Sequence, residues 1–205
     1  VMHFSIDMLI VDWTSVWLML SRFEEYYFGD NTAKHELTIT FRDYMEACKN
    51  ISDTQMYKKA EKYWKERIED LPPAPELPVV GKGGAEFKRF ELRLPKNDWL
   101  FFKAQALKTG VTPVAALVTA YGSVLERFST NKRFILNLTT LNRMPIDPQV
   151  KDLIGDFTSL SLITVDNRGD KTFSQRATDI NKTLFEVLDN HLYTCLLYTS
   201  DAADE

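Results

Sequence analysis

Asp7, Asp12 and Ser15 stand five and three residues apart in the run Asp-Met-Leu-Ile-Val-Asp-Trp-Thr-Ser, which is otherwise apolar enough to be core. Burying an unpaired carboxylate is costly, so such groups are kept where they are paired, hydrogen bonded or needed for chemistry. Asp12 has a plain structural use as the N-cap of a helix over Trp13 to Phe28, whose apolar face runs through Val16, Leu20 and Phe23. Asp7 has no such use, because Met2 to Ile10 reads as a strand and aspartate is disfavoured there. Spacing alone leaves a reactive site and a structural cap equally open.

The elements that must position these groups follow in order. A helix is expected over Phe41 to Lys49. Ser52 and Asp53 then cap a long amphipathic helix with Met56, Ala60, Tyr63, Trp64 and Ile68 at helical spacing. Leu71 to Pro78 holds four prolines in eight residues, which favours an extended, semi-rigid connection, and Gly81 to Gly84 adds a flexible turn. Beyond it the pattern alternates: strand from Glu86 to Leu94, helix from Pro95 to about Lys108, helix from Pro113 to Phe128, strands over Arg133 to Leu138 and Leu160 to Val165, and helix from Phe173 to Leu188. Thr112 followed by Pro113 is a strong start signal, a capping hydroxyl before a proline in the first turn. The order is that of an α/β protein. Its parts are a first lobe remnant over 1–70, a Pro/Gly-rich linker over 71–85, part of a second lobe over 86–193, and a tail over 194–205 with a non-native look.

Composition narrows the function classes. The 205 residues are 44% hydrophobic and 26% charged, ordinary for a soluble globular protein. A net charge of -4 leaves no basic field for nucleic acid. The longest apolar stretch, Met8 to Leu20, is broken by Asp12 and falls short of the roughly 20 residues of a membrane span. Val1 opens in mid-strand, so no signal peptide is read. Cys48 and Cys195 offer neither metal spacing nor a disulfide framework, and the expected compartment is a reducing, cytoplasmic one. Gly81-Lys-Gly-Gly84 lacks the strand, turn and helix context of a phosphate cradle.

Five blocks stand in a fixed order between residues 3 and 191. They are Asp7-x4-Asp12-x2-Ser15; the proline segment from Trp64 to Pro78; Thr112-Pro113 opening an apolar helix; Asn137-Leu-Thr-Thr-Leu-Asn-Arg143; and Gly155-Asp-Phe-Thr-Ser-Leu-Ser-Leu-Ile163. Together they resemble the heterocyclization domains of nonribosomal peptide synthetases, relatives of the condensation domains. The resemblance implies the chloramphenicol-acetyltransferase-like two-lobed fold with a tunnel between lobes, here incomplete at both ends. The tail after Tyr193 is similar to translated adapter sequence and is expected to take no part in the fold.

The implied reaction joins a carrier-bound acyl or peptidyl thioester to a carrier-bound Cys, Ser or Thr and cyclodehydrates the amide to a thiazoline or oxazoline. Condensation relatives carry His-His-x3-Asp-Gly; with the last aspartate aligned on Asp12, Asp7 and Met8 replace the histidines. Amide formation tolerates that loss, because an α-amine with a pKa of about 8 is partly neutral at pH 7 and mainly needs positioning. Loss of water from the ring adduct needs an acid and a base. The resemblance implies Asp189 as the general acid/base and Thr158 as the hydroxyl orienting it, with Ser159 open as the alternative by one residue. It implies Asp12 as structural and paired with Arg143, with Asp7 and Ser15 continuing the polar network. Asp156 is expected to shape its strand end. Asn137 stands either as a contact to the substrate amide or as a plain strand-end residue.

Both substrates would arrive on phosphopantetheine arms of donor and acceptor peptidyl carrier proteins, beside an adenylation domain, with no intrinsic cofactor, metal, nucleic acid or membrane required. Two other readings stay open. His3-Phe-Ser-Ile-Asp7 also fits the His-x3-Asp pattern of histidine-dependent acyltransferases of the same fold, and a plain condensation domain is the neighbouring case. The chain could also be a noncatalytic carrier-binding module or an inactive piece of a larger domain.

Overall fold

The computed structural model describes residues 3–29, 36–78 and 88–193. The expected tail over 194–205, Cys195 and the Gly81–Gly84 turn lie outside the described residues. Six α-helices and two strands are defined among those described: α1 (Trp13–Tyr27), α2 (Phe41–Lys49), α3 (Gln55–Lys65), α4 (Lys96–Lys108), α5 (Pro113–Phe128), β1 (Arg133–Leu141), β2 (Thr158–Asp166) and α6 (Phe173–Asp189). They fall into two compact units, Val1–Glu61 with Thr139–Leu160 and Leu192–Glu205, and Lys62–Leu138 with Ser161–His191.

The first unit holds α1 and α2. Asp12 caps α1, its side chain accepting from Ser15 N. Thr40 and Asp43 close a reciprocal capping box on α2, each side chain bonded to the other residue's backbone N–H. The core is Tyr44, Val150, Leu153 and Phe157, flanked by Ile39, Phe41, Cys48 and Met144. Gly155 is required here by space: a Cβ would lie 2.2 Å from the Phe41 ring. The sheet's end in this unit is closed by Asn142 N–H donating to Phe157 O at 2.8 Å.

The second unit packs α5 and α6 over the remainder of β1 and β2 around Val111, Ala115, Phe134, Ile163, Val165, Ile180 and Leu184. Gly122 lets α5 approach β2 closely, since a Cβ there would meet Val165 at 2.9 Å. Thr112 caps α5 by accepting from Ala115 N, and its own N–H and hydroxyl both donate to Asn181 on α6 at 3.0 and 2.8 Å. One local signal thus fixes a helix start and a helix pair. Asn167 N–H donates to Lys132 O at 2.9 Å, which sets the same register sum as Asn142 with Phe157 and makes the pairing antiparallel. The proline segment lies along β1: Pro73 O accepts from Ile135 N–H at 3.0 Å, and Glu76 N–H donates to Asn131 Oδ1 at 3.1 Å. Trp64, almost wholly buried, donates from Nε1 to Asn190 O at 3.0 Å.

Three sequence expectations need correction. The described part of Met2 to Ile10 is not a strand: Asp7 Oδ1 accepts from Leu9 N–H and Asp7 O from Ile10 N–H, which turns the chain at Met8 to Ile10. Residues 88–94 are not a strand either. Phe90, Leu92 and Leu94 alternate as a strand would, yet they are 92%, 87% and 55% exposed, and no ladder partner is present among the described residues. Finally, Ser52 and Asp53 lie in a short 3-10 turn (Asn50–Asp53), and Thr54 Oγ1 accepts from Tyr57 N–H at the start of α3 instead. Both strands outrun their expected ends, β1 by three residues and β2 by three in all, because backbone pairing continues where the apolar pattern stops.

Candidate functional site

The first unit gathers a buried polar network around the end of β1 and the turn before β2. Asp12 and Ser15 are fully buried at the start of α1. Arg143, just past β1, reaches Asp12 with Nη2 at 3.1 and 3.2 Å and Ser15 Oγ at 2.8 Å. Its Nη1 donates to Val150 O at 3.1 Å and Leu153 O at 2.8 Å, and its guanidinium lies 3.9 Å over the Phe157 ring. Arg143 Nε is buried with no hydrogen-bond partner among the described residues.

Asp12 is equally committed. It accepts from Ser15 N–H at 2.6 Å and Phe157 N–H at 3.2 Å in addition to Arg143. Burial alone would raise its pKa, but hydrogen bonding from Ser15 and then the charge and hydrogen bond of Arg143 outweigh burial and hold it below the ordinary carboxylate value. The Ser15 hydroxyl donates to Gly155 O at 2.8 Å and accepts from Gly155 N–H at 3.1 Å and from Arg143. One donor and two lone pairs are therefore all in use. Neither Asp12 as a base nor Ser15 as a nucleophile has a free valence for a substrate. The network is an ionised clasp that joins α1, the segment after β1, and the Gly155 to Phe157 turn.

Asp7, expected in this network, is not part of it: its side chain is exposed and bonded to Leu9 N–H. Asp156 accepts from Thr158 N–H at 2.9 Å across the turn into β2. Thr158 is exposed and Ser159 is 3% exposed, so the pleat puts the two hydroxyls on opposite faces. In the second unit, Asn137 is exposed on β1, and Asp189 is the exposed last residue of α6. His3 is exposed in the first unit. No group of three or more His, Cys, Asp or Glu side chains fit for a metal ion occurs among the described residues, and no described helix is long and apolar enough to cross a membrane.

Tyr44 and Gly155 were not singled out by sequence reasoning. Gly155 lies inside the Gly-Asp-Phe-Thr block, and its closeness to Phe41 is a tertiary fact. Tyr44 had no signal: its phenol donates to Asn142 O at 2.6 Å, 98 residues along the chain.

Comparison with known proteins places this geometry. The family model described as Condensation domain matches residues 2–196. Pyochelin synthetase PchF of Pseudomonas aeruginosa is 32% identical over 197 residues, 95% of this chain and 11% of the relative. Phenyloxazoline synthase MbtB of Mycobacterium tuberculosis is 31% identical over 207 residues, 98% of this chain and 14% of the relative. The chain thus spans a small fraction of these relatives. Among solved structures, the EpoB NRPS cyclization-docking bidomain from Sorangium cellulosum superposes with a TM-score of 0.82 at 33% identity, over 90% of this chain and 38% of that one. The α/β expectation and the condensation-domain fold are both met by that likeness, and the chain corresponds to part of such a domain.

Proposed function

This chain belongs to the condensation-domain family, and from that premise we propose that it is part of a heterocyclization domain of a nonribosomal peptide synthetase. The observation that carries the reading is the clasp. Asp12, the one aspartate the signature shares with histidine-bearing relatives, is consumed by Arg143, Ser15 and Phe157, while exposed Met8 stands where the relatives' reacting histidine would be. Proton transfer therefore falls to other groups. Likeness to a phenyloxazoline synthase and to a cyclization domain supports ring formation as the outcome.

The substrates are a donor acyl thioester and an acceptor Cys, Ser or Thr, each on the phosphopantetheine arm of a carrier protein. The acceptor amine displaces the donor thiol, giving an amide and a free carrier thiol. The acceptor's side-chain thiol or hydroxyl then adds to the amide carbonyl, its proton passing to the carbonyl oxygen. Loss of that hydroxyl with the amide N–H proton releases one water and leaves the C=N bond of the ring. Asp189 is assigned the acid/base role and Thr158 the orienting hydroxyl; Ser159, on the buried face, is assigned to the strand.

The test uses the whole synthetase with loaded carriers and separates linear amide from ring by the mass of one water. Asp189→Ala and Thr158→Ala are expected to release linear amide with little ring, and Ser159→Ala to form ring as wild type does. Normal ring formation by both of the first two variants removes their assignment. Linear amide alone from wild type makes the protein a plain condensation domain.

A further inference from the structure

Helix α2 carries one side chain that touches two of the three segments the clasp joins, the one after β1 and the turn before β2. Tyr44 is 4% exposed. Its hydroxyl donates to Asn142 O at 2.6 Å and accepts from Met144 N–H at 3.2 Å, so it bridges the residues on either side of Arg143. Its ring meets Phe157 edge-on, centroids 4.9 Å apart, and Phe157 immediately precedes Thr158. Phe41, one turn earlier, stacks on Tyr44 at 6.1 Å and meets Phe157 edge-on at 5.0 Å. Phe157 is also held by its own N–H on Asp12 and by the Arg143 guanidinium over its ring. These restraints, one on the backbone N–H and three on the ring, converge on the residue before Thr158.

We propose that Tyr44 is a positioning residue for ring closure: by holding the backbone around Arg143 and the ring of Phe157 at once, it sets where the Thr158 hydroxyl lies. The inference rests on the heterocyclization reading. Thr158 is exposed and otherwise fixed locally by the Asp156 turn, so its precision comes from the packed residue before it. The phenol is suited to the task because burial pushes its pKa up to about 12, and it remains a protonated donor across any working pH. A displacement of about 1 Å at a reacting group can cost on the order of a hundredfold, and amide formation, which depends chiefly on carrier delivery, is less sensitive to this hydroxyl.

Tyr44→Phe removes the two hydrogen bonds and keeps the ring, and Phe41→Leu thins the aromatic stack and keeps the hydrogen bonds. Both are made in the whole synthetase, and the ratio of ring to linear amide is measured with loaded carriers well below the melting temperature of each variant. The expected result is a fall of about tenfold or more in that ratio for Tyr44→Phe and a smaller fall for Phe41→Leu. A purely structural role lowers both products together and leaves the ratio unchanged, which overturns the inference while the wild-type ring keeps the heterocyclization reading intact. If Tyr44→Phe does not fold, the ratio for Phe41→Leu decides in the same two directions. Wild-type enzyme that yields no ring overturns the reading and the inference with it.

Discussion

Asp12 sits in a fully buried position with its charge retained, and this has a pH signature. Its carboxyl is held below its ordinary value in the folded state, so it contributes stability above about pH 4 that disappears as pH falls through the depressed folded value. Asp12→Asn should flatten that acid limb in urea unfolding measured from pH 5 downward; an unchanged limb would assign it to other carboxylates. Arg143→Met leaves the carboxylate buried without its cation and is expected to cost about 3 to 5 kcal/mol near pH 7, read from the same denaturation curves. Tyr44 acts at the opposite end. Its phenol ionises near 10 when unfolded and at about 12 when folded, so stability present below pH 10 is lost as pH rises from 10 toward 12, and Tyr44→Phe should lose less over that interval. The pairing of Asp12 with Arg143 was readable only as a family resemblance, because nothing in the spacing connects positions 131 residues apart. Asp7 shows the converse: an aspartate in an apolar run suggested burial, but its side chain found a nearer partner in Leu9 N–H.

At the scale of elements, local chemistry was the most readable layer. Thr112-Pro113 fixed the start of α5, and α2 keeps both its expected ends. Thr112→Ala is expected to cost about 1 kcal/mol through the cap, with more lost because Asn181 Oδ1 gives up the hydroxyl donor and keeps only the backbone N–H of residue 112; thermal melting of the variant beside Asn181→Ala and the double mutant measures the coupling. The strands were less legible. Phe90, Leu92 and Leu94 carry the strand period without a ladder, while β1 continues through Thr139, Thr140 and Leu141 because backbone pairing, not hydropathy, ends a strand. Tertiary closeness was unreadable at Gly155. Gly155→Ala places a methyl against the Phe41 ring and is expected to cost about 1 to 3 kcal/mol by overpacking. Phe41→Leu in the same chain should recover part of that loss, and strictly additive losses would show that the contact is not the cause.

For the molecule as a whole, the described residues include large apolar side chains that face outward in stripes. On α5, Val114, Leu117, Tyr121, Val124 and Phe128 form an exposed stripe at helical spacing; on α1, Trp13 and Trp17 are exposed and pack edge to face. Contiguous patches of this kind mark surfaces that are normally covered. The 205-residue chain produced by itself should therefore bind a hydrophobic dye and self-associate in light scattering, and Leu117→Glu with Val124→Lys should reduce both; a monodisperse, dye-silent chain would remove that expectation. The proline segment along β1 limits which way such association can run. Pro72, Pro73, Pro75 and Pro78 have no N–H to offer, and Pro73 O already occupies the Ile135 donor, so the start of the β1 border is already taken. The prolines act as a seam allowance sewn shut: where Pro73 meets Ile135, an incoming strand has to displace the proline segment before it can pair with β1.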